Sequence, residues 1–158
     1  ARDLLLLQVQ TGLRDGEAKG LLWKNVDFDN RVFTVRNTKN VSDFTIPMSE
    51  QIYSVLLDRK NNAASDSYVF PNKTSTGPIG SVRKQKDKVI KDTGIQFTHH
   101  CLRRTFAMLL KKELGIDTNT ISILLNHSPQ GVTQRHYLTS SPKDYKKIYQ
   151  DFSGYIGP

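Results

Sequence analysis

Apolar residues recur at helical spacing from the first positions, with Leu4 and Leu7 on one face, and this predicts a helix over residues 3–10. Gly12 ends or bends it. Asp15 can cap a second short helix, with Glu17 in its first turn and Leu21, Leu22 and Trp23 behind. Residues 26–30 read as a turn. The period then shifts to two. Arg31-Val32-Phe33-Thr34-Val35-Arg36 and Phe44-Thr45-Ile46-Pro47 are rich in strand formers, and polar residues 37–43 between them predict a hairpin with Lys39 in or beside its turn. A hairpin of this size must pack on helices.

Helical spacing returns after Ser49, which caps a helix to about Asn61. Ile52 and Leu56, with the nearby Tyr53 and Leu57, form its inner face. Residues 65–80 carry Pro71, Gly77 and Pro78 and read as a loop pinned by Tyr68-Val69-Phe70. A basic helix is expected over 79–91, with Lys84, Lys86, Lys88 and Lys91 on its wet face. Thr98 caps a helix over 99–113, which ends near Gly115. Asp117 or Thr118 starts another over 119–125. Ser128-Pro129 opens a helix that carries Val132 and ends near Tyr137, since proline suits a first turn. Ser141-Pro142 opens the last, to about Phe152. The pattern is mainly α with a small antiparallel β-hairpin or sheet, in one domain without an internal repeat.

Composition narrows the class. At 158 residues, 37% of them hydrophobic and 24% charged, the chain can bury a real core and is not of the disordered type. Its 23 Lys and Arg against 15 acids give a formal charge of +8 and a pI near 9.6, which leans toward a polyanion, nucleic acid before membrane. Cys101 is the single cysteine, so neither a disulfide framework nor a cysteine-based zinc site is available. No apolar run approaches the roughly 18 residues of a membrane span. A reducing, cytoplasmic compartment is expected. The chain begins at Ala1 in mid-pattern and reads as a piece of something longer.

The candidate chemistry starts at His100 and Arg103, three apart and so on one helix face. An arginine fork can hold two phosphate oxygens, and a histidine beside it can move a proton. Alone, this spacing more often marks a surface histidine and an ion-paired arginine.

The wider pattern carries more. Thr11-Gly12-Leu13-Arg14, then Glu17 and Leu21-Leu22-Trp23-Lys24-Asn25-Val26-Asp27, resembles the first arginine box of the tyrosine recombinases, the phage integrase family. Thr38-Lys39-Asn40 before Ile46-Pro47 resembles that family's β-hairpin lysine, and His100-Cys101-Leu102-Arg103-Arg104-Thr105-Phe106 its second arginine box. Leu124-Leu125-Asn126-His127-Ser128 resembles Leu-Leu-Gly-His-Ser, and Val132-Thr133-Gln134-Arg135-His136-Tyr137 the closing tyrosine box. The boxes stand in the family's order from Thr11 to Tyr137. Three departures stand out: Arg104 where a histidine is usual, Asn126 for glycine, and Asp15-Gly16 where the family is more apolar.

The resemblance implies the catalytic domain of a tyrosine recombinase, with an N-terminal DNA-clamp domain absent from this chain. It implies site-specific recombination of double-stranded DNA through a 3′-phosphotyrosyl intermediate. Arg14 and Arg103 would grip the scissile phosphate, Tyr137 would attack it, and Lys39 would protonate the 5′-oxygen leaving group. His100 would act as acid and base, and His127 would donate a hydrogen bond to the phosphate. No cofactor or metal is implied, because two arginines take the place of a metal and the phosphotyrosine stores the bond energy. The resemblance also implies a tetramer on DNA, assembled through the C-terminal segment, where 151–156 carries apolar residues for a neighbour. A type IB topoisomerase-like relaxing enzyme and a non-catalytic DNA-binding module of the same fold are the alternatives. Each of these residues also has a bland reading. Arg14 could pair with Glu17, Cys101 would be a buried position, and His99 and His136 would be solvent or groove contacts.

Overall fold

A computed structural model describes residues 1–36, 43–127 and 142–157. Numbered along the described residues, the elements are α1 (Arg2–Thr11), α2 (Asp15–Lys19), a 3-10 turn (Trp23–Asn25), β1 (Val26–Asp27), β2 (Val32–Val35), β3 (Phe44–Pro47), α3 (Glu50–Asn61), α4 (Arg83–Thr93), α5 (His99–Lys112), α6 (Thr118–Leu124) and α7 (Pro142–Ile156). Among the described residues the fold is mainly helical with one small antiparallel sheet, as the patterning predicts.

The sheet has three strands in the order β1-β2-β3, not two. Residues expected as a turn form β1, where Val26 pairs with Phe33 and Asp27 with Val32. Between β2 and β3, Phe33 faces Ile46 and Thr34 faces Thr45. The inward members Phe33 and Ile46 are fully buried, so the two-residue alternation points one face at the helices. The hairpin turn with Lys39 lies outside the described residues, as does the helix expected between Ser128 and Tyr137.

Side-chain caps set several helix starts. Ser49 accepts from the Ile52 amide at 3.3 Å, Thr98 from Cys101 at 3.2 Å, and Asp117 from Asn119 at 2.9 Å and Thr120 at 3.0 Å. Two expected starts move. Arg14, not Asp15, is the N-cap of α2, and Asp15 is its first helical residue. The basic helix begins at Arg83, since Ile79 hydrogen-bonds back to Phe70 in the preceding loop. On α3, Ile52 and Leu56 are buried, but Leu57 is exposed, about 100° further round the helix.

The core gathers Leu4 and Leu7 of α1, Phe106 and Leu110 of α5, and Phe152 of α7. Phe106 meets Phe152 edge-on with ring centres 4.8 Å apart, and Tyr149 stacks on it at 5.9 Å. α7 therefore packs on α1, α3 and β3 of its own chain. That changes the expected role of 151–156: Phe152 belongs to this core, and Tyr155 is the large apolar residue of the stretch left exposed. Among the described residues, no helix is long and apolar enough to cross a membrane.

Candidate active site

Arg14 enters the site from the junction of α1 and α2. Gly12 closes α1 with φ +68°, a left-handed conformation open to glycine, and its amide bonds back to Gln8. Two residues on, Arg14 caps α2 in extended backbone. The Glu17 carboxylate accepts from the Arg14 amide at 2.9 Å and from its guanidinium at 2.8 Å. The expected ion pair is real, and it also fixes one end of the guanidinium. The Arg14 side chain remains 37% exposed, which leaves its outer edge for a ligand.

Arg103 comes from α5 and is buried. Its Nη1 donates to the Gly12 carbonyl at 2.6 Å and its Nη2 to the Leu125 carbonyl at 2.5 Å. Both oxygens sit at helix ends, where carbonyls lack intrahelical partners. The fork thus ties together the end of α1, the body of α5 and the end of α6. An arginine carries five N–H donors, so donors remain after these two bonds. Burial, with the like charge of Arg14 second, lowers the Arg103 pKa to about 10, and Glu17 pulls the other way. Two guanidiniums thus face one carboxylate, and the surplus charge is positive. Such a surplus favours an anionic ligand.

His127 follows the turn that ends α6. Asn126 adopts φ +47°, so asparagine supplies the left-handed turn where the family pattern has glycine. The His127 amide closes on the Ser122 carbonyl at 3.0 Å. Although His127 is exposed on its outer side, partial desolvation and then the charges of Arg103 and Arg14 lower its pKa below the ordinary 6.5. The two arginines and the histidine therefore share one electrostatic neighbourhood. His100, in the first turn of α5 three residues before Arg103, is exposed. Lys39 and Tyr137 lie outside the described residues.

Two expectations are corrected here. Cys101 is exposed, because the inward face of α5 runs through Arg103, Phe106 and Leu110 and Cys101 lies nearly opposite Arg103. Its thiol sits beside the Thr98 hydroxyl at 3.2 Å, a contact that lowers its pKa. His99 is not a free surface group. Its Nδ1 lies 2.8 Å from the Gln8 side-chain oxygen and 3.3 Å from an Asp15 carboxylate oxygen. Of the other tyrosines, Tyr149 is buried, and burial pushes its hydroxyl pKa well up, so it is a core residue rather than a nucleophile.

Arg14, Arg103 and His127 thus form one positively charged cluster where α1, α5 and α6 meet. The sequence pattern described as the phage integrase family matches residues 1–144, and the chain belongs to that family. It is 32% identical over 131 residues to the tyrosine recombinase XerA of Saccharolobus solfataricus, covering 83% of this chain and 43% of that protein. Transposase A from transposon Tn554 of Staphylococcus aureus is 27% identical over 168 residues, covering 94% of this chain and 46% of the transposase. The integrase of mycobacterium phage Brujita shares the fold with a TM-score of 0.70 at 21% identity, over 96% of this chain and 50% of the integrase. So does the Tn1549 transposon integrase, solved with a circular intermediate DNA, at a TM-score of 0.65 and 21% identity, over 96% of this chain and 58% of that one. This chain spans about half the length of these curated relatives.

Proposed function

We propose that this chain is the catalytic domain of a site-specific recombinase that cuts and rejoins double-stranded DNA through a 3′-phosphotyrosyl intermediate. The observation that carries this reading is the Arg103 fork, buried and held by Gly12 and Leu125 within electrostatic reach of Arg14 and His127. Arg14 and Arg103 bind the non-bridging oxygens of the scissile phosphate and stabilise the charge that builds on them in the trigonal-bipyramidal transition state. The Tyr137 oxygen forms a bond to phosphorus as the bond to the 5′-oxygen breaks, and His100 takes the tyrosine proton. Lys39 gives a proton to the departing 5′-oxygen. His127, whose pKa burial and its cationic neighbours lower, donates a hydrogen bond to the same phosphate. Reversal with a new 5′-hydroxyl rejoins the strand.

The partner is duplex DNA, met by a chain of charge +8, and the contact weakens steeply with salt. The assembly is a tetramer on DNA in which the C-terminal segment reaches a neighbour, with Tyr155 as its exposed apolar residue. The setting is the host cytoplasm, for a bacterial or phage-encoded protein.

Function is tested with the full-length protein and a supercoiled plasmid carrying two copies of the DNA that flanks its gene. A deletion or inversion product is expected. Relaxed plasmid without recombinant product would move the reading to a topoisomerase-like activity. Binding without either product would move it to a non-catalytic module.

A further inference from the structure

The two halves of the site come from distant parts of the chain: Arg14 follows α1, and Arg103 lies on α5. The Arg103 bond to Gly12 joins them at the inner end. A second junction lies about one turn further out on the same face of α5, since His99 and Arg103 are four residues apart. Here His99 Nδ1 faces Gln8 Oε1 at 2.8 Å and Asp15 Oδ1 at 3.3 Å. Both partners are acceptors, so Nδ1 carries the proton in either charge state that makes these contacts. Gln8 is fully buried, and its amide nitrogen in turn donates to Asp15 Oδ1 at 3.4 Å. Lys19 holds the other Asp15 oxygen at 2.6 Å. The four side chains form a closed polar junction between the end of α1, the first residue of α2 and the first residue of α5. Asp15 adjoins Arg14 and His99 adjoins His100, so the junction binds the immediate neighbours of two site groups.

We propose that His99 is a positioning residue for strand cleavage: its Nδ1–H pins the first turn of α5 to Gln8 and Asp15 and so sets the spacing of Arg14 and Arg103. This rests on the recombinase reading above. It also accounts for the polar Asp15 at a position where the family pattern is more apolar. A guanidinium pair that must meet two oxygens of one phosphate tolerates little drift, and misplacement by about 1 Å can cost about a hundredfold in rate. His99 touches neither phosphate nor nucleophile in this account, so its loss should slow the cleavage step and leave DNA affinity nearly alone.

The test uses the full-length protein on nicked duplexes tiled across the DNA flanking its gene. It measures the rate of covalent adduct formation and, separately, DNA affinity. His99→Ala is expected to slow adduct formation tenfold or more, with affinity within about twofold of wild type. His99→Asn, whose amide nitrogen sits where Nδ1 sits, should recover most of the rate. His99→Gln, whose amide nitrogen sits at the Nε2 position, should not. An unchanged rate in His99→Ala overturns the inference, and so does an Asn variant as slow as Ala. If the wild type itself forms no adduct, the recombinase reading fails, and the junction is judged by unfolding instead. There, His99→Ala and Asp15→Ala must be non-additive in a double-mutant cycle, and strict additivity overturns it.

Discussion

Arg103→Ala should all but abolish cleavage, lowering the adduct-forming rate by about a hundredfold to a thousandfold, the usual loss when a transition-state donor is removed. The same change should alter the folded protein. It leaves the Gly12 and Leu125 carbonyls without their donors, and each unpaired buried polar group costs about 1–3 kcal/mol. Against that, the variant removes a buried cation that stands near Arg14, which is a gain. The lost bonds outweigh the relieved repulsion, because Glu17 already offsets part of it. Arg103→Lys separates the two effects: it keeps the charge but cannot fork to both carbonyls, so it should rescue little activity. His127 gives a readout that needs no DNA. Its pKa is lowered first by desolvation, then by Arg103 and Arg14, so Arg103→Ala should raise it part of the way toward 6.5 in an NMR titration. The sign for stability follows. A histidine whose folded pKa is lowered contributes fully above its unfolded value and loses that contribution as pH falls through the folded one. The variant should show less of that acid-side loss. An unmoved His127 would mean that it does not share a site with Arg103.

Gly12→Ala should be nearly as damaging, and through packing rather than charge. A Cβ at Gly12 would stand 2.6 Å from Phe106 Cδ1 and 2.7 Å from Leu125 Cδ2. Neither neighbour can yield easily, because Phe106 is fully buried against Tyr149 and Phe152 and Leu125 is buried at the α6 terminus. The left-handed backbone adds about 1–2 kcal/mol for any residue with a Cβ, and overpacking adds about 1–3. Together they predict a loss of roughly 2–5 kcal/mol in urea unfolding, a large part of a typical domain's stability. Since the Gly12 carbonyl holds Arg103, cleavage should fall as well. A loss below about 1 kcal/mol would contradict the packing described here.

The sequence made some of this legible and hid the rest for physical reasons. Ser49, Thr98 and Asp117 announced their helices because a cap is a local device, a side chain bonding an amide two or three residues on. Asn126 was legible in the same way, since a left-handed turn needs glycine or asparagine. β1 was not, because two residues have no period and exist as a strand only through pairing with β2. The exposure of Cys101 follows once Arg103 is known to be the inward residue, which no local pattern revealed. His99 was misjudged because its partner Gln8 is 91 residues away. The polar Asp15 was the one sign available.

In the proposed reaction Tyr137 is the nucleophile of a DNA strand-cleaving site organised around Arg103. Covalent capture on the nicked flanking duplexes, comparing full-length wild type with Tyr137→Phe, tests it most directly. A protein–DNA adduct is expected in the wild type and none in the variant, with both binding DNA equally. An adduct that persists in Tyr137→Phe would contradict the assignment of the nucleophile, and its absence from both proteins with binding intact would contradict the cleavage reaction itself.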